Sequence, residues 1–247
     1  MCLVAVAWRC RADSPLLVAA NRDEFHARPA APLSRWPEGF IAGRDLEAGG
    51  TWMGATADGR FAAVTNHRDP RDRRDGLRSR GELVAAYLAG RDDAASWAAQ
   101  VAASAAAWRG FHLLVADAEA LWYVGQGGAG PRRLTPGVHV VSNAAPEADW
   151  PKVRAIRERV QAALAQADVL APLRAALADR GVAPDAALPD TGVPLDWERR
   201  LSAAFIVSPE YGTRCSSVLG IAARRGWFLE QRFDAAGEAS GATRIDW

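Results

Sequence analysis

The chain has 247 residues, 49% hydrophobic and 24% charged, with a formal net charge of +1. That balance is ordinary for a soluble globular protein and gives no electrostatic case for nucleic acid or an anionic membrane surface as partner. No run approaches the roughly 18 apolar residues a membrane span needs, and Arg9 and Arg11 close the short apolar opening, so neither membrane insertion nor a secretory leader is expected.

Residues 2–8 are predicted as a strand from their apolar content and length. Asp13-Ser14-Pro15 marks a turn, and residues 16–20 return as a second strand that delivers Asn21-Arg22-Asp23-Glu24 at its end. A simple hairpin register would bring that run close to Cys2. Residues 26–50 are rich in proline and glycine and read as irregular structure over short strands. Gly49 to Gly54 looks like a tight turn into a strand, and residues 61–65 form another, with Asn66 at its exit. Residues 66–78 read as a solvated loop, dense in arginine and aspartate. Ser79-Arg80-Gly81-Glu82 has capping-box spacing and predicts a helix over 80–89, stopped by Gly90. A second helix is expected over 93–106. Strands follow at 111–116, 121–125 and 138–142, then helices at 151–166 and 168–179, a connector over 184–194, and last strands at 204–207, 214–222 and 227–233. Strands joined by short turns favour antiparallel sheets. With no repeat and no linker composition, residues 1–247 are expected to form one α+β domain of two stacked antiparallel sheets between helical layers.

Cys2 becomes the amino-terminal residue once Met1 is removed. It then carries a nucleophile and a base in one unit: a thiol of ordinary pKa about 8.5 beside an α-amine at roughly 7.7–8.0. The alternative is a small apolar residue in a buried first strand. Cys2, Cys10 and Cys215 form neither a metal spacing nor an even disulfide framework, so no metal is expected and a reducing, cytoplasmic setting is. Nearly all positive charge is arginine; Lys152 is the only lysine, which reads as compositional bias. Polar positions at strand ends mark a site: the Asn21–Glu24 run, Asn66, Asn143 and Arg214. Arg22 would hold a fixed positive charge near the thiol. Asp23 would orient the Cys2 amine or cap a turn, and Glu24 would give a supporting ion pair. Asn66 is the oxyanion donor candidate, and Asn143 would hold the amine or the substrate carbonyl. Arg214, at the start of an apolar strand, needs a partner: a site carboxylate or an anionic substrate. Asn21, Glu24 and Trp52 are candidates for substrate contact.

Met1-Cys2, Ala20-Asn21-Arg22-Asp23-Glu24-Phe25, Gly49-Gly50-Thr51-Trp52-Met53-Gly54, Val64-Thr65-Asn66, Val141-Ser142-Asn143 and Tyr211-Gly212-Thr213-Arg214-Cys215-Ser216-Ser217 stand in this order along nearly the whole chain. The series resembles the NRDE family, which includes the transport and Golgi organization protein 2 proteins of eukaryotes. Cys2 with the arginine and aspartate about twenty residues on also resembles choloylglycine hydrolases and penicillin V acylases. That resemblance implies a four-layer αββα N-terminal-nucleophile fold and a site of Cys2, Arg22, Asp23, Asn66, Asn143 and Arg214. In this chain Arg22 and Asp23 are adjacent, closer than the spacing usual in those enzymes. Three functions follow as expectations. One is a cysteine amidohydrolase or thioesterase on a small, anionic acyl substrate. Another is a haem, acyl-coenzyme A or lipid carrier, with His26, His67, His112, His139 or a cysteine as axial ligand. The third is a scaffold without chemistry.

Overall fold

The computed structural model describes residues 2–71, 77–125, 130–222 and 225–247. The chain opens with β1 (Cys2–Trp8) and β2 (Leu16–Phe25), then β3 (Ala30–Arg35), β4 (Phe40–Asp45), β5 (Met53–Thr56) and β6 (Phe61–Asn66). Helices α1 (Gly81–Ala89) and α2 (Ala94–Ala103) lead to β7 (Phe111–Ala116), β8 (Leu121–Gly125), β9 (Arg132–Leu134) and β10 (Gly137–Val141). Helices α3 (Pro151–Leu164), α4 (Leu170–Leu177) and α5 (Leu195–Leu201) precede β11 (Tyr211–Ala222), β12 (Arg225–Phe233) and β13 (Ala239–Asp246).

The strands form two antiparallel sheets. One runs β10-β1-β2-β11-β12-β13 and the other β3 to β9 in chain order. Alternation along β1 and β2 builds the layers. Val4, Val6, Val18 and Ala20 meet Ile41, Phe61 and Leu114 of the second sheet. Leu3, Ala5, Leu17 and Ala19 face outward onto Val153, Ile156, Leu173 and Leu177 of α3 and α4. Leu83, Val84, Tyr87 and Val101 of α1 and α2 cover the other sheet. The result is the expected αββα sandwich. β1 is buried on both faces, which explains its continuous apolar run.

Several elements differ from expectation. β2 continues to Phe25, so Asn21 to Glu24 lie inside the strand rather than beyond it. The capping box before α1 is half made: the Ser79 N–H donates to the Glu82 carboxylate at 3.3 Å, and no side chain caps the helix start. α2 does have its cap, the Asp93 carboxylate accepting from the Ser96 N–H at 2.7 Å. Residues 204–207 are not a strand. Ala203 and Ile206 pack with Leu201 and Tyr211, and their backbone is held from outside: the Phe205 N–H donates to Asp179 O and the Thr213 N–H to Ile206 O. The 66–78 loop is not wholly solvated, since Arg68 is buried; residues 72–76 of it lie outside the described residues. Among the described residues no helix is long and apolar enough to cross a membrane.

Candidate active site between the sheets

Antiparallel pairing sets Cys2 opposite Arg22 and, from the other side, Arg22 opposite Cys215. The three side chains therefore lie abreast on the face of the sheet that turns toward its neighbour. Two strand spacings separate the cysteines, about 10 Å, beyond disulfide reach. At this end the sheets part around a cavity of about 590 Å³ lined by Cys2, Arg22, Asp23 and Glu24 from one side and by Trp52, Thr65 and Asn66 from the other. Glu24 shares the Cys2 face with Arg22, two residues before it.

Two asparagines cross between the sheets. Asn143 Nδ2 donates to Asn66 Oδ1 at 2.9 Å and to Asn66 O at 3.1 Å. That fixes the Asn66 amide with its oxygen spent, leaving Nδ2 as the donor beside the cavity; its contact to His67 O is long, at 3.4 Å. The Thr65 hydroxyl donates to Ser142 O, pinning β6 to the exit of β10. Asn143 is fully buried and does not line the cavity, so it positions Asn66 rather than meeting substrate.

Arg214 sits in a bulge: Thr213 pairs with Asp23 and Cys215 with Arg22, leaving one extra residue between. Bulges re-aim side chains beside sites. The guanidinium donates to the carbonyls of Phe25, His26 and Arg28, at 2.9, 3.2 and 3.1 Å. Among the described residues its hydrogen-bond partners are thus carbonyls at the end of β2 and in the loop after it rather than a carboxylate, and Arg214 lines the cavity. Asn21 departs further. Its side chain faces the helical layer, donating to Leu177 O at 2.8 Å and Ala204 O at 2.7 Å and accepting from the Ser216 hydroxyl at 2.6 Å. It does not line the cavity, so the expected substrate contact is corrected to a structural one.

The electrostatics follow from burial. Desolvation pushes the Cys2 thiol above its ordinary range, Asp23 and Glu24 add to this, and Arg22 opposes it. Desolvation also raises Asp23, opposed in descending order by the chain's terminal amine, Lys152, the Thr213 hydroxyl, which donates to its carboxylate at 2.7 Å, and Arg22. A thiol held up in this way needs a base to deliver a thiolate at neutral pH.

Sequence reasoning missed three contributors. Arg80 lines the cavity, donates to Gly110 O at 3.0 Å, and lies within electrostatic reach of Cys2 and Glu24. The available signal was a cation at the start of α1, where the helix dipole disfavours it. Gly50 allows this approach: a Cβ there would fall 2.6 Å from the backbone carbon of Gly81. Cys215 lines the cavity as a second thiol, raised well above its ordinary value by burial. Lys152 is buried, within electrostatic reach of Asp23 and Cys2.

None of the four histidines lines the cavity. His112 is bonded through both ring nitrogens, to His67 at 3.1 Å and to the Tyr123 hydroxyl at 2.7 Å, and burial followed by His67 pushes it down to about 3. His26 and His139 are bonded to the carbonyls of Ser208 and Thr135. Among the described residues no group of three or more His, Cys, Asp or Glu side chains is arranged to hold a metal ion.

Comparison with known proteins places this geometry in context. The family model described as Transport and Golgi organisation 2 matches residues 1–235. The Transport and Golgi organization protein 2 homolog of Bos taurus is 35% identical over 226 residues, 83% of this chain and 81% of that protein. The homologs of Mus musculus and Homo sapiens are each 31% identical over 224 residues, again 83% of this chain and 81% of theirs. Among solved structures, a mutant of the conjugated bile acid hydrolase from Clostridium perfringens superposes with a TM-score of 0.50 at 10% identity, covering 100% of this chain and 92% of that one. An N-acylethanolamine-hydrolyzing acid amidase ortholog from Caenorhabditis elegans gives a TM-score of 0.47 at 8% identity, over 71% of this chain and 85% of that one. The bile acid hydrolase shares the sandwich fold.

Proposed function

This chain belongs to the Transport and Golgi organisation 2 family, and on that premise we propose that it is a cysteine-type N-terminal-nucleophile hydrolase cleaving an amide or thioester acyl bond. A shared fold does not by itself carry a function; the observation that carries this one is the row of Cys2, Arg22 and Asn66 on a common cavity. Once Met1 is removed, the Cys2 amine takes the thiol proton and the sulfur attacks the acyl carbon. The Asn66 Nδ2 donates to the resulting oxyanion. Collapse breaks the C–N or C–S bond, and the ammonium returns its proton to the departing amine or thiol. Water, deprotonated by the same amine, then cleaves the thioester on Cys2, releasing the acid and restoring the thiol. Arg22 and Arg80 favour negative charge in this space and suit a substrate with an anionic portion.

The test is intact-mass analysis of protein shown to lack Met1, incubated briefly with short and long acyl amides and acyl thioesters, with and without an anionic head group. An acyl adduct on Cys2 that is absent from Cys2→Ala supports the proposal. Fully processed protein that forms no adduct and turns over nothing sinks it. The second reading, a carrier of haem, acyl-coenzyme A or lipid in the cytoplasm, draws on the same arginine-lined cavity. With the histidines outside the cavity lining, haem would have to use Cys2 or Cys215, so loss of a Soret shift in the Cys2→Ala, Cys215→Ala pair separates the two ideas.

A further inference from the structure

Arg22 differs from most of the arginines that share its cavity. It is 8% exposed, and its guanidinium makes no hydrogen bond and no ion pair among the described residues. Nη1 is sealed from solvent without a partner, while Nε and Nη2, equally unbonded, keep access to the space that the side chain lines. A guanidinium cannot shed its charge, and buried donors without an acceptor are costly. Most other cations of the lining are committed. Arg28 pairs with Asp45 and Glu47, Arg78 with Glu82 and Arg232 with Glu230, and Arg214 bonds backbone carbonyls. The carboxylates are committed too: Glu230 also accepts from the Leu33 N–H, and Glu24 accepts from the N–H of Phe25. Arginines outnumber carboxylates in the lining by eight to five, which favours an anionic ligand.

Position narrows what that anion is. Arg22 is the direct cross-strand partner of Cys2, and Cys215 of β11 faces it from the other side. Burial pushes both thiols above their ordinary range, so neither supplies a resting negative charge. A lone sulfur would in any case meet one donor, whereas a carboxylate matches the planar fork with two. Directly opposed strand residues have Cβ atoms about 4.5–5.5 Å apart, so an anion on Arg22 lies within about three bonds of the carbon that Cys2 attacks. Asn66 is held from the β10 side of β1, and Arg22 stands on its β2 side, so a carbonyl oxygen and a carboxylate are received from opposite directions. We propose that Arg22 seats a carboxylate of the substrate, about three bonds from the scissile carbonyl carbon. N-acyl-α-amino acids carry such a group on the amine side; monoamides and monothioesters of short dicarboxylic acids carry it on the acyl side. The substrate class rests on the hydrolase reading; the carboxylate seat does not.

Alkylation tests the seat without any turnover. Iodoacetate and iodoacetamide share size and leaving group; each bonds its methylene carbon to sulfur as iodide departs and the thiol proton is lost. They differ in bearing a carboxylate or a neutral amide beside that carbon. The ratio of their rates at one thiol does not depend on how much of that thiol is ionised, so any effect of Arg22 on Cys2 itself cancels. On protein lacking Met1, read by peptide mass, the iodoacetate-to-iodoacetamide ratio at Cys2 is expected to exceed that of mercaptoethanol in the same solution by on the order of tenfold. Arg22→Gln is expected to bring it down near the mercaptoethanol value. Arg80→Gln, which changes the field of the same cavity but not the seat, is expected to keep most of it. A parent ratio no higher than that of mercaptoethanol, a preference that survives Arg22→Gln, or an equal loss in both variants overturns the proposal.

Should Arg22→Gln not fold, the parent decides. N-acetylglycine or succinamate is expected to slow alkylation of Cys2 by iodoacetamide, and their neutral counterparts, N-acetylglycinamide and succinamide, are not. Acids that protect no better than the amides overturn the proposal. Protection by N-acetylglycine assigns the carboxylate to the amine side, and protection by succinamate to the acyl side. A protein that shows the preference but hydrolyses no acyl bond keeps the seat and loses the hydrolase reading. One that hydrolyses charged and neutral amides alike keeps the hydrolase reading and loses the seat.

Discussion

The two faces of β2 carry opposite kinds of polar chemistry. Toward the second sheet, Arg22 and Glu24 stand beside Cys2 at an open cavity, and Arg22 Nη1 has no hydrogen-bond partner although it is buried. Toward the helices, Asn21 and Asp23 are tied to α4, β11 and the turn before it: Asn21 bonds Leu177, Ala204 and Ser216, and Asp23 bonds Thr213. A partly unsatisfied donor facing a cavity is poised for a ligand, whereas a satisfied one buried among helices specifies the fold. Four consecutive residues thus divide by strand parity, with Asp23 also reaching the cavity lining, and closeness in sequence does not mean a shared role.

That contrast can be broken from either face. On the cavity face, Cys2→Ala is expected to abolish the acyl adduct and reduce turnover by on the order of 10⁴-fold or more while leaving the urea midpoint nearly unchanged. A Cys2→Ala protein that still turns over substrate would move the chemistry elsewhere. On the helix face, Glu198→Ala strips the buried Arg68 guanidinium of its carboxylate and is expected to cost about 3–5 kcal/mol of stability by urea unfolding, with the cavity's ligand affinity kept in whatever fraction remains folded. Asn66→Ala returns to the cavity and is expected to lower kcat by about 10²–10³ with little change in stability. Because Asn143 holds the Asn66 oxygen, Asn143→Ala should reproduce much of that loss in kcat. Equal effects of both on KM alone would argue against an oxyanion role.

The strands were legible because burial writes itself as apolar runs: β1, β6 and β7 sit where their hydrophobic residues imply. β13 was not, since it alternates exposed with half-buried residues and Ile245 is its one large apolar side chain. α5 is seven residues long, too short for a helical period to stand out, and it carries Glu198, the anion that turns Arg68 inward. Of the site, Cys2, Arg22 and Asn66 could be named because polar groups at the ends of apolar strands are conspicuous. The division of labour could not. It depends on β2 running on through Glu24, which sets Glu24 on the thiol's face by strand alternation. Lys152 was masked by composition: a lone lysine among arginines looks like bias until the structure shows it buried, its ammonium making no hydrogen bond among the described residues.

Asn21 offers the finest division between the faces. Its Nδ2 caps the carbonyl of Leu177, the last residue of α4, which has no partner further along its own helix. It also takes the carbonyl of Ala204, in the segment that leads back to β11. Asn21→Leu keeps roughly the same volume and removes both bonds, orphaning two buried acceptors and the Ser216 hydroxyl. Each orphan costs about 1–3 kcal/mol, but Ser216 can turn and the end of α4 can relax, so a net loss of about 2–3 kcal/mol is expected. Alkylation of Cys2 by iodoacetamide, followed by peptide mass, should proceed at the parent rate, because nothing on the thiol's face has changed. If instead Asn21→Leu leaves the urea midpoint in place and alters the alkylation rate, the motif acts as one catalytic unit across the strand, and the separation of faces is wrong.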